Sequence, residues 1–177
     1  GKLKAKLKPN KRRENMVFAS DYLRASLIYK DKKVFFTKGT TVIDSTLLVD
    51  FGVNEYEGGY YLTLKLKNPG NENSEVITRP LTLDTAFTSD SFFTYRTLKG
   101  DSCGGESFMP ISFILSQGYH EEPFGGRSSN TTGFPYFDIS DKSSALAFAI
   151  GWSGQWSKDL IPDGNRLAIE IGLCDSC

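Results

Sequence analysis

The sequence predicts an all-β fold, a two-sheet antiparallel β-sandwich, and three observations lead there. Apolar and polar residues alternate over many short segments, helical periodicity is nearly absent, and Gly, Pro, Asn and Asp clusters separate the segments. Strict alternation gives a strand one apolar face, which an antiparallel sheet buries while its other face meets water. About ten such strands at short spacing imply two facing sheets.

Taken in order, Leu3, Ala5 and Leu7 alternate with Lys2, Lys4, Lys6 and Lys8. That reads as an edge strand with solvated lysines, which discourage stray strand pairing, or as a frayed tail. Strands are expected at 24–30 and 33–37, ended by Lys38-Gly39. In 46–53, Leu47, Val49, Phe51 and Val53 oppose Thr46, Asp50 and Gly52. In 60–67, Tyr60, Leu62, Leu64 and Leu66 oppose Tyr61, Thr63, Lys65 and Lys67. Shorter strands are expected at 75–79, 91–98 and 134–139. The segment 144–150 has no polar face, because Leu146, Phe148 and Ile150 oppose Ala145, Ala147 and Ala149. It is therefore expected to be a central strand covered on both sides. The last strand is 166–173, where Leu167, Ile169, Ile171 and Leu173 oppose Arg166, Ala168, Glu170 and Gly172. From 100 to 135 the alternation gives way to glycines, prolines and small polar residues, with 110–115 as a short helical turn or strand inside. Loop regions of that length are more often functional than accidental.

The 177 residues suit one domain and are too few for a (β/α)8 barrel, which needs about 250. No run of about 18 apolar residues is present, so no membrane-spanning helix is expected. The formal net charge of zero conceals an asymmetry. Seven of 21 basic residues fall in the first 13 positions, which leaves 14 basic against 20 acidic residues in 16–177. Hence 1–15 reads as a basic lead segment and 16–177 as the sandwich. No apolar h-region follows the basic start, so a secretory signal is not expected and a cytoplasmic location is. The acidic remainder argues against a nucleic-acid partner.

Several motifs suggest chemistry. Gly100-Asp101-Ser102-Cys103-Gly104-Gly105 has the look of a serine-protease nucleophile loop, but the one histidine, His120, follows the serine instead of preceding it. A Gly-rich turn is the better reading. Cys103, His120, Cys174 and Cys177 would together supply four zinc ligands, although 17 residues separate the first two where structural sites use tight pairs. Plain thiols or a single disulfide remain open for the cysteines, and no cofactor is expected. His120-Glu121-Glu122 reads as a solvated loop, and Asn130-Thr131-Thr132 is a glycosylation sequon. Trp152 and Trp156 lie among glycines and serines, so their indoles either project for a sugar ring or another domain, or plug the end of the sandwich.

Two blocks carry a resemblance. Gly126-Arg127-Ser128-Ser129-Asn130, continuing to Phe134-Pro135-Tyr136-Phe137, is followed by Ala147-Phe148-Ala149-Ile150-Gly151-Trp152-Ser153-Gly154-Gln155-Trp156. Together they resemble the N-terminal domain of melibiase-like α-galactosidases, glycoside hydrolase family 36 and relatives. Thr131-Thr132 intervenes where the family has a glycine sooner. The specific match covers about 125–156. It implies a supersandwich of the galactose-mutarotase-like type that precedes a catalytic barrel carrying both catalytic aspartates. On that implication the chain is a truncated, non-catalytic domain whose partners are its own barrel, galactoside sugars and other copies in a homo-oligomeric parent enzyme. Arg127, Ser128, Ser129, Phe134, Trp152 and Trp156 are then the residues expected at the domain interface or near carbohydrate. The competing expectation is a free-standing carbohydrate-binding module with an aromatic platform.

Overall fold

The computed structural model describes residues 23–56, 59–101, 103–130, 133–142 and 144–177. The expected lead segment 1–15 lies outside them, as do Ser102, Thr131 and Thr132. All regular structure among the described residues is β, in three antiparallel sheets where the sequence predicts two. The longest sheet runs β2 (Lys32–Phe36), β1 (Leu23–Tyr29), β6 (Ile77–Thr88), β13 (Arg166–Leu173), β12 (Trp156–Asp163), β9 (Tyr119–Glu121). A second runs β11 (Ala145–Ala149), β10 (Tyr136–Ser140), β7 (Thr94–Leu98), β8 (Pro110–Ile114). The third runs β3 (Gly39–Val42), β4 (Leu48–Tyr56), β5 (Gly59–Lys67).

Register shows how they stack. One cross-strand row of the long sheet runs Phe36, Ala25, Leu83, Ile171, Lys158, Glu121. Residues directly opposite one another share a face, and so do alternate residues along a strand. The core residues of all six strands therefore lie on one side. At the Phe36 end, Ala25, Leu27, Tyr29 and Phe36 pack with Leu47, Val49, Phe51 and Val53 on or beside β4. At the Glu121 end, Phe87, Trp156, Leu160, Leu167 and Ile169 pack with Tyr95, Phe137 and Ile139 from β7 and β10. This arrangement is compatible with a β-sandwich in which one layer is a single sheet and the other is divided.

The opposite face of the long sheet carries a charged row between rows of small and apolar residues. That row reads Arg24, Asp84, Glu170, Asp159, His120. Like charges opposite one another destabilise a sheet. Arg24 bonds Asp84 at 2.7 Å and His120 Nδ1 meets Asp159 Oδ1 at 2.7 Å, so both ends of the acidic row are held.

Two expectations are overturned. His120 and Glu121 are not in a solvated loop but in strand β9, paired with β12, where Glu121 is buried opposite Lys158. The strand over 144–150 is not central: β11 is an edge strand, paired with β10 alone among the described residues, and its three alanines are exposed. Its inner face is apolar because Phe148 stacks on Phe137 at 4.7 Å. The outer alanines have no covering layer.

Candidate functional site

The glycine-rich stretch between β7 and β10 is pinned from several directions. Phe108 donates to the Lys99 carbonyl and Lys99 to that of Met109, closing the turn that leads into β8. Asn130 and Gly133 exchange backbone hydrogen bonds at 3.1 and 3.2 Å, while Asn130 Nδ2 donates to the Phe124 carbonyl. Gly100 lies so close to this bridge that a Cβ would collide with the carbonyls of Asn130 and Gly133. Only glycine fits there.

Beneath the loop is a buried polar group that the alternation pattern conceals. Lys158 is wholly buried on β12, with Glu121 as its direct cross-strand neighbour on β9. The Lys158 Nζ donates to the Tyr95 hydroxyl at 2.6 Å and lies 3.0 Å from Glu121 Oε2. Tyr95 and Tyr119 both donate their hydroxyls to the same carboxylate oxygen, at 2.7 and 3.3 Å. Glu121 Oε1 accepts the Phe134 backbone N–H at 2.9 Å. The ammonium also sits over the Phe137 ring, 4.1 Å from its centroid, with the Tyr95 and Trp156 rings at 4.9 and 5.2 Å. Such placement adds cation–π attraction where water is excluded.

Burial dominates the proton affinities. It pulls Lys158 down to about 8, with the Glu121 charge opposing the shift. It pushes Tyr119 up to about 12 and Tyr95 well above the ordinary phenol range, in both cases reinforced by Glu121. Lys158, Tyr95 and Glu121 are buried, and Tyr119 is half-buried. Glu121 fixes the backbone at Phe134 and so the middle of the aromatic step Phe108, Phe134, Tyr136, whose outer two rings are exposed and whose central ring is half-buried.

The two tryptophans part company. Trp156 opens β12 fully buried, and its Nε1 donates to the Ser128 carbonyl at 2.9 Å. It plugs the end of the sandwich. Trp152 stays 36% exposed, with its Nε1 donating to Asp175 Oδ2 at 2.7 Å. The same oxygen accepts the Gln155 backbone N–H at 2.9 Å. A Cβ at Gly154 would strike that carboxylate and the Trp152 nitrogen, so glycine is required for the clamp. From Gln155 a polar chain continues: Gln155 Nε2 donates to Glu122 Oε1 at 2.8 Å, and Glu122 Oε2 lies 3.5 Å from His120 Nε2. The bond to Asp159 is the main cause that raises the His120 pKa above its usual range.

Of the residues singled out in the sequence, Arg127 is exposed, Ser128, Ser129 and Phe134 are half-buried, and Ser129 Oγ accepts from the Asp101 N–H at 3.2 Å. The structure does not gather Cys103, His120, Cys174 and Cys177. Among the described residues no three His, Cys, Asp or Glu side chains converge to hold a metal ion, and the cysteines are free. His120 is engaged with Asp159 and Glu122 instead. Lys158, Tyr95, Tyr119 and Asp175 were missed at the sequence level. Only the inward slot shared by Trp156, Lys158 and Leu160 hints at a buried lysine. Comparison with known proteins adds nothing to the geometry: no family model matches the chain, and neither a curated protein nor a solved structure does.

Proposed function

We propose that the chain is a non-catalytic N-terminal β-sandwich domain, of the galactose-mutarotase-like type, from an α-galactosidase-like glycoside hydrolase. Its work is to pack on and support a (β/α)8 catalytic domain. The observation that carries this reading is that the two blocks with the family resemblance are joined to each other. Trp156 of the second block donates to the Ser128 carbonyl of the first, and β10 pairs with β11 from Tyr136↔Ala149 to Ser140↔Ala145. The joint holds Ser128 from below and leaves Arg127 at the surface, where a second domain can reach it.

The test is reconstitution. Mixed with a separately produced barrel domain of such a hydrolase, the chain is expected to co-elute with it, and Arg127→Ala with Trp152→Ala to weaken that association. Independent elution at high concentration overturns the docking role. Turnover of a nitrophenyl α-galactoside by the purified chain alone overturns the non-catalytic one.

Trp152 favours a second reading, a carbohydrate-binding module. Its clamped, partly exposed indole beside Gln155, Glu122 and His120 is the pairing of flat apolar face and polar rim that sugar rings use. Quenching of Trp152 fluorescence by methyl α-galactoside would support it, and buried Trp156 would not respond.

A further inference from the structure

We infer that β11 is a self-association edge through which two copies of this chain pair antiparallel about Ala147, merging their four-stranded sheets into one. An edge strand presents unpaired backbone N–H and C=O groups, and folded proteins blunt such edges with charge, proline or shortness. Among the described residues five of the six sheet edges are blunted in this way. β2 begins with two lysines, β5 carries Lys65 and Lys67, β8 opens on a proline, β3 has four residues, and β9 has three with a histidine in the middle. β11 alone reads Ala-Leu-Ala-Phe-Ala, with no charged, polar or proline residue and an unbroken register against β10. An edge left unguarded where its siblings are guarded is an edge that has a partner.

The pattern of β11 selects a copy of itself. Small and large residues alternate symmetrically about Ala147. A two-fold axis there sets alanine against alanine on the outer face. On the inner face it sets Leu146 of each copy against Phe148 of the other. Both are only half-buried in one chain, where they line the open side of the core. Isologous pairing would cover them with each other, as a C2 interface requires. The exposed alanines place no bulk in the way, and a formal net charge of zero removes long-range repulsion between copies. Neither the edge nor its symmetry depends on the chain being a hydrolase domain.

Sedimentation of the intact chain over a concentration series to about 200 µM is the test, since interfaces of ordinary size bind at micromolar or tighter. The expected result is reversible growth to twice the 19.7 kDa of one chain. Ala147→Lys, which adds a guard at an exposed position, is expected to raise the dissociation constant at least about tenfold without changing the far-UV spectrum, or the melting temperature at concentrations where the chain is monomeric. Hydrogen exchange supplies a readout that needs no variant: the amides of 145–149 should gain protection with concentration. A chain monomeric throughout overturns the inference. So does a dimer that Ala147→Lys leaves intact, or one whose 145–149 amides exchange equally at every concentration.

Discussion

Lys158 has an unusual setting, an ammonium with no solvent contact inside a ring of aromatics. Its contacts are two hydrogen-bonding oxygens and the Phe137 face, which offset only part of the cost of burying the charge. Removing one partner of a buried ion pair typically costs about 3–5 kcal/mol, because the other charge is stranded. Lys158→Met should therefore be severely destabilising in urea unfolding. Adding Glu121→Gln removes the stranded charge and keeps an acceptor for the Phe134 N–H, so the double variant should regain much of the loss. Strictly additive losses would contradict that. The pH dependence has a defined sign. Between about 8, where folded Lys158 releases its proton, and 10.5, where the unfolded chain does, the unfolded state binds more protons. Stability contributed by Lys158 thus rises with pH across that window. Above pH 10 the tyrosines act in the opposite sense, because folded Tyr119 keeps its proton to about 12 while the unfolded phenol loses it at 10.0. The wild-type urea midpoint should climb from pH 8 to 10 and then fall, with the climb absent in Lys158→Met.

At the scale of elements, the alternation rule locates strands wherever the inward slots are apolar, and it fails where they are not. β13 falls at its expected bounds, and β4, β5 and β10 fall within a few residues of theirs. β12 is illegible because its inward row is Trp156, Lys158, Leu160, Pro162, which mixes a cation and a proline into the core face. β6 is legible only at its start, because Arg79 in a left-handed conformation and Pro80 follow there, and the register against β1 shifts nearby. β11 is legible as a strand but not as an edge, since alternation reports the polarity of faces and not the number of neighbours. The same limit applies to the tryptophans. Spacing places both in one glycine-rich segment, whereas only tertiary contacts make Trp156 core and leave Trp152 at the surface. Trp156→Ala should cost about 3–5 kcal/mol in urea unfolding, as large-to-small core changes do. Trp152→Ala should cost less than that, since Trp152 is already 36% exposed and loses only part of an indole's burial together with one hydrogen bond. Equal costs would refute that division.

For the whole molecule, the divided layer raises the question of whether the two core clusters fold as one unit. They share a single sheet, and β6 passes from one to the other: Leu81 and Leu83 pack in the cluster under β4, and Phe87 packs in the cluster under β7 and β10. Pairing of β1 and β13 on either side of β6 ties each cluster to the same strand. A cooperative unit shares such a strand, whereas independent units meet at few contacts. Leu27 is wholly buried in the first cluster, and Trp156 reports from the second. In a Trp152→Phe background, Leu27→Ala should lower stability by about 2–5 kcal/mol. It should also shift the Trp156 fluorescence midpoint and the far-UV midpoint downward together, as a two-state transition demands. A fluorescence midpoint that stays in place while the far-UV curve splits in two would show the divided layer to be two folding units on one sheet.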